Sequence, residues 1–169
     1  MVGFEASVAG GIPVIKVLRE GLSANRIQWI AGIINGTTNF ILTQMSEKHW
    51  GFQQALTEAQ RLGYAEADPT FDIQGIDAAH KCSILAAIAY GIPIPFDQTY
   101  MEGISHLQSQ DMQFAEQLGY RIKLLGITKQ TAQGVEVRVH PCLISERSLL
   151  AKVEGAMNAV MVNSDALGT

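Results

Sequence analysis

The chain alternates between two hydrophobic periods. Ile27, Trp29, Ala31 and Ile33 alternate with polar or small neighbours, which predicts a strand with one buried face, closed by Asn35-Gly36. Beyond Thr38 the spacing lengthens. Phe40, Ile41 and Met45, then Phe52, Ala55, Leu56, Ala59 and Leu62, recur every three or four positions. That rhythm predicts two helices, or one broken at Trp50-Gly51, stopped by Gly63. Residues 77–90, DAAHKCSILAAIAY, are apolar nearly all round, as expected of a helix packed on several sides. Earlier, Pro13 with Val14, Val17 and Leu18 marks a short helix ended by Gly21. Residues 112–118 read as a helix stopped by Gly119. Residues 120–127 and 135–143 alternate around KQTAQG as a hairpin, and 159–162 form one more strand. These elements predict an α+β fold: a mixed, largely antiparallel sheet covered by helices, in one domain over residues 1–169.

Composition narrows the class. With 47% hydrophobic and 17% charged residues, the chain can hold a sizeable core, and disorder is excluded. Twelve basic residues against 16 acidic ones leave a net charge of -4, so nothing points to nucleic acid or an anionic membrane as partner. The longest apolar runs, WIAGII and SILAAIAYGI, fall short of the ~20 residues a bilayer span needs. The opening MVGFEASVAGG lacks a secretory signal pattern, and Cys82 and Cys142 are the only cysteines. A reducing, cytoplasmic setting with two free thiols is expected. The end at SDALGT, in a loop leaving a strand, suggests a piece cut from something longer.

The densest ionisable group is Glu66, Asp68, Asp72, Asp77 and Lys81. Asp77 and Lys81 lie four apart, so on a helix they share a face. One reading is a solvated ion pair worth a few tenths of a kcal/mol. The other follows from Ala78, Ala79, Cys82, Ile84, Leu85, Ala86 and Ile88, which leave that helix little face for water. Apolar surroundings disfavour a charged amine while a nearby carboxylate holds it in place, a setting suited to a general acid or base. The acidic loop before it is either a hydrated helix cap or a negative pocket for a cation such as an ammonium. Its spacing matches no EF-hand. His49, His80, His106 and His140 show no HExxH or zinc spacing, and GxGxxG, GxxxxGK[ST] and GxSxG motifs are missing. A Schiff-base lysine of an aldolase or lyase, and an amino-acid-binding module without chemistry, compete with the acid–base reading.

Three stretches in order, FEASVAGGIPVI, NGTTNFIL and EAQRLGYAEADPTFDIQGIDAAHK, resemble the catalytic portion of homoserine dehydrogenases. The third is the most specific, running over two dozen positions. The resemblance implies reduction of L-aspartate 4-semialdehyde to L-homoserine with NADH or NADPH, on the route to threonine, methionine and isoleucine. It makes Lys81 the general acid and base, Asp77 its positioning carboxylate, and Glu66 and Asp72 the binders of the substrate ammonium. Gly36, Thr37 and Tyr64 would border the same pocket, and Gly10 and Gly11 would lie near the nicotinamide. A monovalent cation, typically sodium, would sit on Glu5, Val8, Gly10 and Ile12. The resemblance further implies a preceding Rossmann domain that holds most of the cofactor, a second active-site lysine there, and a homodimer or homotetramer. On that expectation these residues are an excised substrate and dimerisation domain, inactive alone.

Overall fold

In the computed structural model, which describes residues 3–169, a five-stranded sheet runs in the order β2-β4-β3-β1-β5. Its members are β1 (Ile27–Ile33), β2 (Tyr100–Met101), β3 (Tyr120–Thr131), β4 (Gly134–Ser145) and β5 (Ala159–Ser164). All pairings are antiparallel except β2 with β4. The helices are α1 (Val14–Lys16), continued by a π-helical turn Val17–Gly21, then α2 (Gly36–Lys48), α3 (Phe52–Arg61), α4 (Thr70–Ile73), α5 (Ile76–Tyr90) and α6 (Ser109–Gln117). The α+β, largely antiparallel architecture is the one expected. No helix is long and apolar enough to cross a membrane among the described residues.

Helices cover one face. Ile30, Ile34, Leu124 and Val139 of the sheet side meet Ile41, Met45, Ala79, Cys82 and Leu85 in one buried cluster. Each such branched side chain contributes about 1.5–3 kcal/mol by leaving water. Gly126 sets how closely α5 lies, because a Cβ there would be 3.3 Å from the Cβ of Cys82 and 2.8 Å from Ile34 Cδ1. On the opposite face Ile33, Leu125 and Leu150 form a smaller cluster edged by Ile127, Cys142, Ile144 and Met161.

Two elements depart from the sequence pattern. A bulge falls between Ile27 and Trp29, where Ile27 faces Ser164 and Trp29 faces Asn163. An extra residue in one strand turns the chain over. Ile27 therefore joins Ile30 and Ile34 beneath the helices, while Ala31 and Ile33 belong to the other face, so the four residues read as one stripe are split. The β3–β4 hairpin pairs as far as Thr131 with Gly134, and its turn is only Ala132-Gln133. Most of KQTAQG is strand, because a two-residue loop matches the twist of the flanking strands.

Candidate functional site

Where β1 ends, the chain enters α2 through Asn35, and this buried side chain organises the site. Its Oδ1 accepts the Thr38 N–H at 2.8 Å, capping α2. Its Nδ2 donates to Asp72 Oδ1 at 2.6 Å and to Asp77 Oδ2 at 2.8 Å. An amide carries two N–H donors, so one asparagine ties together two carboxylates that would otherwise repel. Asp72 stands on α4 and Asp77 in the first turn of α5, where the helix N-terminus favours negative charge. Gly75, at φ +81°, turns the chain between them.

Lys81 lies one turn along α5. Its Nζ is 2.7 Å from Asp77 Oδ2 and also donates to the Ile34 carbonyl at 3.2 Å. An ammonium has three donors, so one remains for a ligand. The side chains are 26% exposed for Lys81 and 22% for Asp77, a half-buried pair that still reaches solvent. Lys81, Asp77 and Asp72 thus form one connected network, and Asn35 is the member that sequence reasoning missed. Its signal was a cap-type residue ahead of a helix, which gave no hint of partners 37 and 42 positions away.

The other expected residues fall into two groups. Thr37 Oγ1 donates to the Tyr64 carbonyl at 2.7 Å, the Tyr64 ring packs on Phe40 with centroids 4.7 Å apart, and Gly36 lies against the Ala156 carbonyl. These three gather beside Asn35 at the start of α2. Glu66 is exposed, and its carboxylate makes no hydrogen bond or ion pair among the described residues; its carbonyl accepts from Gln60 Nε2 at 3.1 Å. It is not drawn into the Lys81 network.

At the N-terminal end, Glu5 places one oxygen on the Ile15 N–H at 2.8 Å and the other on the Lys16 N–H at 2.9 Å, anchoring α1. Ala9 and Gly10 follow each other at φ +59° and +58°, and Ile12 O accepts the Val14 N–H at 2.8 Å across Pro13. Gly11 is exposed, with open space where a Cβ would stand. No cluster of three or more His, Cys, Asp or Glu side chains suited to a metal occurs among the described residues. Both cysteines are free thiols, as expected.

The fold and the site define an α+β domain: a largely antiparallel sheet covered by helices, with a half-buried lysine paired to a carboxylate on one of them. Residues 13–169 match the homoserine dehydrogenase family, to which the chain belongs. It is 65% identical to the homoserine dehydrogenase of Pseudomonas aeruginosa over 169 residues, covering 100% of this chain and 39% of that protein. It is 64% identical to the Neisseria gonorrhoeae enzyme, covering 99% of this chain and 39% of that one. Among solved structures, a homoserine dehydrogenase from Thiobacillus denitrificans superposes with a TM-score of 0.97 at 67% identity, covering 99% of this chain and 39% of that one. A hyperthermophilic archaeal homoserine dehydrogenase mutant in complex with NADPH superposes with a TM-score of 0.80 at 32% identity, covering 97% of this chain and 46% of that one. The chain therefore spans about 39% of the length of the two curated relatives.

Proposed function

We propose that this chain is the substrate-binding, catalytic and dimer-forming domain of an NAD(P)-dependent homoserine dehydrogenase, which interconverts L-aspartate 4-semialdehyde and L-homoserine in threonine, methionine and isoleucine biosynthesis. The observation that carries this reading is Lys81 held by Asp77 and the Ile34 carbonyl with one donor left over. The nicotinamide cofactor, NAD or NADP, supplies or takes the hydride, and it is bound mainly by a separate nucleotide-binding domain. Residues of this chain handle the proton. Lys81 gives a proton from Nζ to the aldehyde oxygen in reduction and takes it from the hydroxyl in the reverse direction. Asp77 keeps the amine in place and balances its charge. Asp72 and Glu66 take the substrate ammonium, with Gly36, Thr37 and Tyr64 bordering the pocket.

Support for a cofactor edge at Gly10 and Gly11 is the exposed backbone there, which a ring can approach without meeting a side chain. The set Glu5, Val8, Gly10 and Ile12 fits a hard monovalent cation such as sodium in its all-oxygen chemistry. The Val8 and Gly10 carbonyls have no hydrogen-bond partner among the described residues, and the Glu5 carboxylate keeps lone pairs beyond its two amide contacts. The functional unit is a cytoplasmic homodimer or homotetramer, and these residues without the nucleotide-binding domain do not turn over.

The test is Lys81→Ala in the complete enzyme. Loss of a positioned general acid lowers kcat by ~10²–10⁴-fold while cofactor affinity stays unchanged. Turnover at the unsubstituted rate would remove Lys81 from the mechanism. Borohydride trapping with the aldehyde substrate should leave no adduct on Lys81, separating hydride transfer from Schiff-base chemistry.

A further inference from the structure

Lys123 is a lysine the proton chemistry does not use, and it is only 4% exposed. It lies on β3 and forms no ion pair among the described residues. Burying a cation without a counter-ion is costly, so its hydrogen bonds call for an explanation. Nζ donates to Val153 O at 2.6 Å and to Asn39 Oδ1 at 3.1 Å. Asn39, also buried, donates through Nδ2 to Val153 O and Met157 O, both at 3.1 Å. Thr43, one turn further along α2, accepts the Gly155 N–H at 3.1 Å and donates to Asn39 O at 2.7 Å. Three side chains from α2 and β3 thus satisfy the backbone at 153, 155 and 157.

That stretch, residues 153–158, joins a 3-10 turn (Leu150–Lys152) to β5 and touches both halves of the candidate site. A Cβ at Gly36 would lie 2.7 Å from Ala156 O, and one at Gly10 would lie 3.9 Å from Asn158 Nδ2. The loop therefore stands between the start of α2, where Asn35 holds Asp72 and Asp77, and the Gly10 turn. Charged groups acting on Lys123 are Glu154 of the loop, Glu47 of α2 and Arg121 of β3, and none of them makes the contacts that hold the loop.

We propose that Lys123 is a positioning residue: with Asn39 and Thr43 it clamps the 153–158 loop against Gly36 and the Gly10 turn, and so fixes one wall of the pocket that receives the amino-acid substrate. The wall's role rests on the functional reading above; the clamp does not. A buried amine suits the task because one group donates to both a carbonyl and an amide oxygen without needing a water in a tight space.

The experiment compares Lys123→Met with the unsubstituted complete enzyme. Methionine keeps the length and removes the donors. Amide hydrogen exchange over residues 153–158 should quicken at least tenfold with α5 unchanged, and KM for L-homoserine should rise at least fivefold with kcat altered less than twofold. Thr43→Val, which removes the acceptor for Gly155 and the donor to Asn39 O while leaving Lys123 in place, should move both readouts in the same direction and serves if the lysine variant does not fold. Met112→Ala, buried in α6 and with no hydrogen bond to the loop among the described residues, supplies the comparison for general destabilisation. Loop exchange at the unsubstituted rate would overturn the clamp. Faster loop exchange with an unchanged KM would overturn the wall, and a KM rise accompanied by exchange quickening throughout the domain, as in Met112→Ala, would reduce Lys123 to a structural residue. Lack of homoserine turnover in the unsubstituted enzyme would instead remove the functional reading, and the exchange data would still decide the clamp.

Discussion

Asp77 and Lys81 meet at a single oxygen: Oδ2 lies 2.7 Å from Nζ and takes the Asn35 amide at 2.8 Å as well. The helical spacing brings the pair together, but a half-exposed ion pair one turn apart is worth little by itself. The contact with Asn35 is what makes the arrangement directional, because it fixes which way the carboxylate faces. Asp77→Asn should keep the shape, remove the charge and leave two amides competing for one geometry. We expect kcat to fall by roughly 10²-fold, the scale set by a misplaced catalytic group, with little change in melting temperature. Steady-state kinetics of the complete enzyme decide it, and a loss below threefold would show that Asp77 does not position Lys81.

Gly36→Ala tests the opposite end of the network. In a helix this exchange ordinarily stabilises by up to ~1 kcal/mol. Here the new methyl would stand 2.7 Å from Ala156 O, a backbone atom that cannot swing aside. Overpacking of this kind costs about 1–3 kcal/mol, so the clash wins and the loop must shift. The expected outcome is a lower urea midpoint together with a raised KM for the amino-acid substrate. A more stable variant with an unchanged KM would mean that the loop yields freely.

Local signals were legible and long-range ones were not. The i, i+4 placement of Asp77 and Lys81, the glycine stops at Gly63 and Gly119 and the hydrophobic periods of α2, α3 and α5 are all properties of a few neighbouring residues. The two-stranded meeting of β2 with β4 carries almost no pattern, since Tyr100–Met101 is two residues long. The bulge near Gln28 defeats a period-two reading of β1, because alternation says nothing about an inserted residue. Asn35 looked like the end of a strand, and its partners at Asp72 and Asp77 are set by how α4 and α5 pack. Lys123 sits in an apolar strand sequence where a charge reads as solvent-facing, and its acceptors, Asn39 Oδ1 on α2 and the Val153 carbonyl, both lie far from it in the chain.

The cysteines should be chemically silent in the folded protein. Burial pushes the Cys82 thiol up to about 12, and it pushes Cys142 up to about 11 against a smaller opposing pull from Arg138. Thiolate is the reactive form, so both remain protonated at neutral pH. Titration with an aromatic disulfide reagent at pH 8 should show less than one reacting thiol in the native chain within minutes and two after denaturation. Rapid reaction of Cys82 in native buffer would contradict its burial.

Lys123 also predicts an alkaline gain in stability. Burial lowers it from 10.5 to about 8, the nearby Glu154 acting in the opposite direction, while the unfolded chain keeps the ordinary value. Between about pH 8 and 10.5 the unfolded state then binds a proton that the native state has released. Stability rises with pH wherever the unfolded state binds more protons, so the penalty for this lysine is fully present below pH 8 and relieved through that window. The full relief is roughly 3 kcal/mol, at 1.36 kcal/mol for each unit of difference. Other groups titrate in the same range, which makes the difference between proteins the useful quantity. Urea unfolding of the unsubstituted chain and of Lys123→Met at pH 7, 8, 9 and 10 should give a stability difference that moves steadily in favour of the lysine protein as pH rises. At pH 7 the variant gains by losing a buried charge and loses by leaving Asn39 Oδ1 and Val153 O short of a donor, so the two are expected within about 2 kcal/mol. A difference that stays flat across those four pH values would mean that Lys123 titrates alike in both states and that its amine is in contact with water.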